Sequence, residues 1–167
     1  VAISADGEYV VAGSYNEKVY LFGKSSSTPL WSYATEGIVY SVATSADGEY
    51  IVAGSYDGKA YLFDKDSRTP LWSYTTGSDV QTVTISADGE YIVAGSNDDK
   101  VYLFDKDSST PLWTYTAGME VLSVAISADG EYIAASSRDA EVFLFNKDDE
   151  EPIWEYDTGG DMNSVAL

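Results

Sequence analysis

Short runs of Val, Ile, Tyr, Leu and Phe recur along the chain, and each run is bounded by Gly, Pro, Asp or Ser. Runs of this length and composition predict β-strands, because β-branched and aromatic residues suit a half-buried pleated surface. An Asp47-Gly48 pair separates the first two runs of the second group and predicts a hairpin, since glycine readily takes a positive φ. The runs of that group are Val39–Thr44, Tyr50–Ser55, Lys59–Phe63 and Leu71–Thr75.

The same pattern repeats every 41 residues, marked by Ser-Ala-Asp-Gly at Ser4, Ser45, Ser86 and Ser127. Four short antiparallel strands with this period are typical of a β-propeller blade. A proline precedes each fourth run, which places that strand at a sheet edge, where no amide donor is needed. The sequence therefore predicts an all-β propeller array over residues 1–167, with four blades of four antiparallel strands. The repeats are 1–41, 42–82, 83–123 and 124–164, and 165–167 begin a fifth.

One tryptophan occurs in the fourth strand of every repeat. Large aromatic side chains dominate cores, so these residues are expected to pack between adjacent blades. The alternative is an aromatic ring that binds a ligand. The four residues are Trp31, Trp72, Trp113 and Trp154.

Two known propeller families resemble the repeat. The stretch VATSADGEYIVAGSYDGKAYLFD, residues 42–64, is similar to the WD repeat, whereas Thr69-Pro70-Leu71-Trp72-Ser73-Tyr74 resembles the outer strand of the PQQ-type repeat. The second resemblance implies a quinone-dependent oxidoreductase as one alternative function. Four repeats are too few for a quinone-binding dehydrogenase, however. The chain also has no histidine to anchor the WD-type hydrogen-bond network with the loop aspartates.

Composition argues further against catalysis. Without Cys or His, the chain has no thiolate or imidazole metal ligands and no Ser-His-Asp triad. Segments such as Asp64-Lys65-Asp66-Ser67 lack most of a calcium loop and are interpreted as turns. We therefore expect no enzyme activity, no catalytic residues, no metal and no cofactor. A net charge of -19 disfavours nucleic acid and anionic membranes as partners.

The four copies differ mainly in two loops, one between the second and third strands and one leading into the first strand. In a four-stranded meander both loops lie on the same face, which we call the top face. This face is predicted to bind an unknown protein or a small ligand. The alternative explanation of the differences is neutral sequence change in loops that tolerate substitution. An engineered or recently amplified array without a ligand is a further alternative. The candidate residues are Tyr15, Tyr40, Tyr56, Gln81, Asn97, Leu122, Arg138 and Asn163.

Neither terminal repeat carries the polar substitutions of a capping repeat, so an open array leaves two apolar blade faces uncovered. We expect a homodimer in which two chains join head to tail as one eight-bladed ring, because propellers have about four to eight blades. In that ring, residues 162–167 act as an extra inner strand that competes with residues 1–4 for the same position. A single chain closed as a four-bladed ring is the alternative.

Overall fold

The computed structural model describes residues 1–160 and 162–167. All regular structure in this part of the chain is β, so no described helix is long and apolar enough to cross a membrane. The strands are β1 (Ala2–Ile3), β2 (Tyr9–Ser14), β3 (Lys18–Gly23), β4 (Trp31–Ala34), β5 (Val39–Thr44), β6 (Tyr50–Ser55), β7 (Lys59–Asp64), β8 (Trp72–Thr75), β9 (Val80–Ile85), β10 (Tyr91–Ser96), β11 (Lys100–Asp105), β12 (Trp113–Thr116), β13 (Val121–Ile126), β14 (Tyr132–Ser137), β15 (Glu141–Asn146) and β16 (Trp154–Asp157).

These strands form four separate antiparallel sheets of four strands each, ordered β1-β2-β3-β4 and so on along the chain. The prediction of an all-β fold built from propeller-like blades is confirmed. Strands β5 and β6 have the predicted bounds, whereas β7 extends one residue further to Asp64 and β8 begins at Trp72. Leu71 precedes β8 but already donates its amide to the carbonyl of Leu62 at 2.8 Å.

The Ser-Ala-Asp-Gly segment makes the same tight turn in every sheet. In the second sheet, Gly48 has a φ of 73° and donates its amide to the carbonyl of Ser45. The Ser45 hydroxyl donates to Asp47 Oδ1 at 2.6 Å and accepts the Tyr50 amide at 3.0 Å. Serine, aspartate and glycine thus each satisfy one requirement of the turn, which explains why the segment recurs.

Consecutive sheets pack face to face and are joined by hydrogen bonds. The amide of Ala46 donates to the carbonyl of Ala87 at 2.9 Å, and the amide of Val83 donates to Ser41 Oγ at 3.1 Å. The approach is close, since a Cβ on Gly54 would lie 2.7 Å from Cγ1 of Val80. Glycine is therefore needed where β6 meets the next inner strand.

The array is open. Across residues 1–160 and 162–167, no hydrogen bond joins the fourth sheet to the first. Every side chain of β16 is exposed, whereas Trp113 of β12, the outer strand of the preceding sheet, is buried. The structure thus differs from the alternative of a four-bladed ring closed by one chain.

The predicted extra inner strand at residues 162–167 is not a strand in the structure. A strand requires a hydrogen-bonded neighbour, and no described strand pairs with this segment. Its position is nevertheless that of an inner strand, because the amide of Val165 donates to Ser123 Oγ at 3.2 Å. This bond repeats the one between Val83 and Ser41 two sheets earlier. Asp161, part of the loop predicted to vary before this strand, lies outside the described residues.

Candidate binding face and blade interfaces

Each outer-strand tryptophan inside the array reaches across to the following sheet. Its indole Nε1 donates a hydrogen bond to the carbonyl of a lysine 34 residues further on. A buried indole N–H without a partner would cost free energy, so this bond fixes the register between sheets. The pairs are Trp31 with Lys65 at 2.7 Å, Trp72 with Lys106 at 2.8 Å and Trp113 with Lys147 at 2.8 Å.

Aromatic rings fill the rest of each interface. Trp72 and Tyr74 of β8 lie on Phe104 of β11, and both ring centroids are 5.2 Å from that of Phe104. The receiving surface is a stacked pair, Tyr102 and Phe104, whose centroids are 6.2 Å apart. Each interface therefore has a donor half, the tryptophan and tyrosine of an outer strand, and an acceptor half, the stacked pair of the next third strand.

The two ends of the array carry one unmatched half each. Trp154 and Tyr156 form a donor half and are 45% and 66% exposed, whereas Trp113 is 9% exposed. Tyr20 and Phe22 form an acceptor half, stacked with centroids 6.0 Å apart as in the internal interfaces. Of the four predicted packing tryptophans, the structure places three between sheets and leaves Trp154 at the open face.

A tyrosine–aspartate pair braces the top-face loops in the middle of the array. Asp98 accepts hydrogen bonds from the Tyr102 hydroxyl at 2.6 Å, the Gly77 amide at 2.6 Å and the Lys100 amide at 3.2 Å. Burial and the hydrogen bond to Asp98 raise the pKa of Tyr102 well above its ordinary value. Asp57 and Tyr61 make the same pair one sheet earlier, at 2.6 Å.

Sequence reasoning missed the tyrosines of these pairs. It excluded a histidine-anchored network with the loop aspartate, and in the structure a tyrosine hydroxyl bonds to that aspartate. The available signal was a tyrosine four residues after the loop aspartate in the second and third copies. The fourth copy lacks the pair, because Phe143 stands where Tyr102 and Tyr61 stand.

We expect Asp98→Ala to lower the free energy of unfolding by about 2 to 4 kcal/mol, because three donors lose a charged acceptor. Asp139→Ala is the matched control. Phe143 offers Asp139 no hydroxyl, so a loss of about 1 kcal/mol is expected there. Urea denaturation of both variants, followed by circular dichroism, measures the difference. Equal losses would show that the three hydrogen bonds of Asp98 contribute no more than the bond that Asp139 accepts from the Ser137 hydroxyl.

The eight candidate top-face residues do not form one site. Tyr15, Tyr40 and Tyr56 lie in a row, with ring centroids 6.3 and 5.8 Å apart and edge-to-face contacts. The other five lie further along the array. Asn97 donates to Asp79 at 3.4 Å, and Arg138 forms an ion pair with Glu120 at 3.2 Å. Gln81 and Leu122 are half-buried, and Asn163 is exposed.

The Asp-Lys-Asp-Ser segments are closed turns. The Asp107 amide donates to Asp105 Oδ1 at 2.8 Å, and Lys106 Nζ lies 2.9 Å from Glu90 and 3.2 Å from Asp107. The hydrogen bonds to Glu90 and Asp107 raise the pKa of Lys106. Within residues 1–160 and 162–167, no group of three or more acidic side chains is placed to hold a metal ion.

One comparison with known proteins decides the family. A PQQ-type family model, described as outer membrane protein assembly factor BamB, matches residues 1–97 and 83–167, and the two matches together span the chain. The chain belongs to this PQQ-type propeller family. The match agrees with the Thr-Pro-Leu-Trp outer strand, the part of the repeat that resembles the PQQ type. No curated protein matches the chain.

Proposed function

We propose that this chain is a non-catalytic propeller scaffold, which two copies close into an eight-bladed ring and whose top face binds other molecules. The observation that carries the proposal is the pair of unmatched interface halves at the ends of the array. The chain has three complete interfaces of one design, and it presents both halves of a fourth on opposite sides.

The unmatched halves are complementary in detail. By analogy with the internal interfaces, Trp154 and Tyr156 of one copy would pack on Tyr20 and Phe22 of the other. The indole of Trp154 would then donate to the carbonyl of Lys24, as Trp113 donates to that of Lys147.

The hairpin turns give an independent sign of the same pairing. A Cβ on Gly130 would lie 2.6 Å from Tyr91 of the preceding sheet, whereas one on Gly7 would meet nothing within 4 Å. Tyr132, at the position of Tyr91 one repeat later, is 44% exposed. Placing Tyr132 of one copy against Gly7 of the other would complete the contact.

Head-to-tail contacts of this kind build a closed ring when the rotation per unit divides the circle. With four blades per chain, two copies give an eight-bladed ring, within the usual range of propellers. In this ring, residues 162–167 of one copy and Val1–Ser4 of the other would compete for the first inner-strand position. Two copies would also cover the apolar faces that the single array exposes.

The proposal that the scaffold is non-catalytic rests on side-chain chemistry. The sequence contains neither imidazole nor thiol, so it cannot build the usual nucleophile–base pairs. Asp47, whose counterpart occurs in all four copies, and Asp98, whose counterpart occurs in three, are engaged in turn and loop hydrogen bonds. Variable loops on one rigid face are a common place for binding residues.

Light scattering of the 167-residue chain at low micromolar concentration in 150 mM NaCl tests the ring. We expect a mass twice the chain mass of 18.1 kDa, independent of concentration over this range. A stable species at 18.1 kDa would refute ring closure by a second copy.

A further inference from the structure

Three tyrosines from two adjacent sheets form an exposed row on the top face. Tyr15 follows β2, Tyr40 lies in β5 and Tyr56 follows β6. Their side chains are 78%, 40% and 53% exposed, although they contact each other edge to face. We call these three residues the tyrosine row.

The blade fold does not require tyrosine at these positions. In the third and fourth sheets, the same backbone positions carry polar or aliphatic residues, while the strands keep their lengths and pairing. Exposed aromatic rings that the fold does not need are typical of recognition surfaces, where tyrosine gives a large contact area with few rotatable bonds. The corresponding residues are Asn97 and Arg138 for Tyr15 and Tyr56, and Gln81 and Leu122 for Tyr40.

The hydroxyl groups of the row are free to bind a ligand. Among residues 1–160 and 162–167, the hydroxyls of Tyr15, Tyr40 and Tyr56 have no hydrogen-bond partner, in contrast to those of Tyr61 and Tyr102. Each hydroxyl can therefore accept a hydrogen bond from a donor above the row.

The electrostatic surroundings of the row favour a cation. Partial burial raises the pKa of Tyr40, and the neighbouring Tyr15, Tyr56 and Asp79 add to the shift. Asp79 therefore lies close enough to contribute negative potential at the row, and the whole chain carries a net charge of -19. A negative field and exposed ring faces act together on a cationic group.

We propose that the tyrosine row binds an extended, arginine-bearing segment of a basic polypeptide. The guanidinium group is planar and weakly hydrated, stacks on aromatic rings and donates hydrogen bonds to hydroxyl oxygens. In an extended chain, alternate side chains lie on one face about 6.6 Å apart. The ring spacings of 6.3 and 5.8 Å match that distance, so arginines at every second residue would lie beside successive tyrosines, each able to reach a ring or a hydroxyl oxygen.

This inference deepens the binding role proposed for the top face, but it needs only one chain. The row lies on the top face of the first two sheets, and its three rings contact each other within a single chain. Failure of the chain to dimerise would therefore leave the inference intact, and failure of the row to bind would leave ring closure intact.

Two synthetic peptides of equal composition and charge test the proposal. Arg-Gly-Arg-Gly-Arg has the alternating spacing, and Gly-Arg-Arg-Arg-Gly does not. In titration calorimetry at 150 mM NaCl, which screens long-range attraction, we expect the alternating peptide to bind several-fold more tightly. The triple variant Tyr15→Asn, Tyr40→Gln, Tyr56→Asn keeps the net charge and borrows residues from the third copy. It should weaken binding at least about tenfold, because each exposed cation–π contact contributes a factor of about two to five.

Matched variants separate the row from charge and from folding. Gln81→Tyr with Asn97→Tyr extends the row by two rings and should tighten binding of a longer alternating peptide, whereas Leu122→Gln should change nothing. Circular dichroism verifies that each variant is folded. Equal binding of the alternating peptide to the wild type and the triple variant would overturn the proposal. So would tyrosine-dependent binding of a proline-rich peptide without binding of the arginine peptide.

Discussion

Trp113→Ala is expected to lower the free energy of unfolding by about 3 to 5 kcal/mol, the usual cost of deleting a buried aromatic side chain. Trp113 is 9% exposed, packs on Phe145 at 5.3 Å and donates its indole N–H to the carbonyl of Lys147. Alanine would leave a cavity between the third and fourth sheets and an unpaired carbonyl. Because the sheets contact only their neighbours, the loss should uncouple the fourth sheet from the rest.

Urea denaturation followed by far-ultraviolet circular dichroism measures this effect without relying on the deleted fluorophore. Trp154→Ala is the matched control, since the same residue in the same strand position is 45% exposed in the single chain. At concentrations too low for self-association, the control should lose less than about 1 kcal/mol. If both variants lost the same free energy, interface burial would not explain the role of the tryptophans.

Trp154→Ala is expected to raise the dissociation constant of the dimer at least about a thousandfold. An aromatic hot spot contributes about 2 to 4 kcal/mol at each interface, which is a factor of about thirty to a thousand. Each closing interface has one Trp154, and a two-fold ring has two such interfaces, so the variant removes both anchors at once. Phe22→Ala, on the acceptor half, should weaken the dimer in the same direction.

Sedimentation equilibrium over a range of protein concentrations measures the constant. Glu155→Ser is the control, because residue 155 lies on the opposite face of β16 and the earlier copies carry Ser32 and Ser73 there. This variant should dimerise at least as well as the wild type.

Two chains of charge -19 repel each other, so the wild-type dimer should tighten as NaCl increases. A dimer unaffected by Trp154→Ala would place the contact elsewhere.

The individual sheets could be predicted almost completely from the sequence. Ser45, Asp47 and Gly48 mark a turn that is held mainly by local hydrogen bonds, so the strands on either side were located to within one residue. Turn residues and the alternation of apolar and polar positions act over a few residues, so both can be recognised within one copy. The other three copies repeat the same pattern and support the assignment.

The features that depend on several sheets could not be predicted in the same way. Periodicity describes one blade and its neighbour, but it does not fix whether the fourth sheet meets the first. The contact between Tyr15 and Tyr40 joins residues of different sheets, and only the packed backbone brings their rings to 6.3 Å. The bond between Asp98 and Tyr102 likewise needs the loop to fold back towards β11.

The hydrogen bonds between sheets also bear on how such proteins change in evolution. They join residues at a constant separation, 34 along the chain for the tryptophans and 42 for the inner strands. Unequal recombination that adds or removes one 41-residue unit would therefore recreate every junction with the same atoms. The number of blades can change in a single genetic step, while each new junction is already compatible with its neighbours.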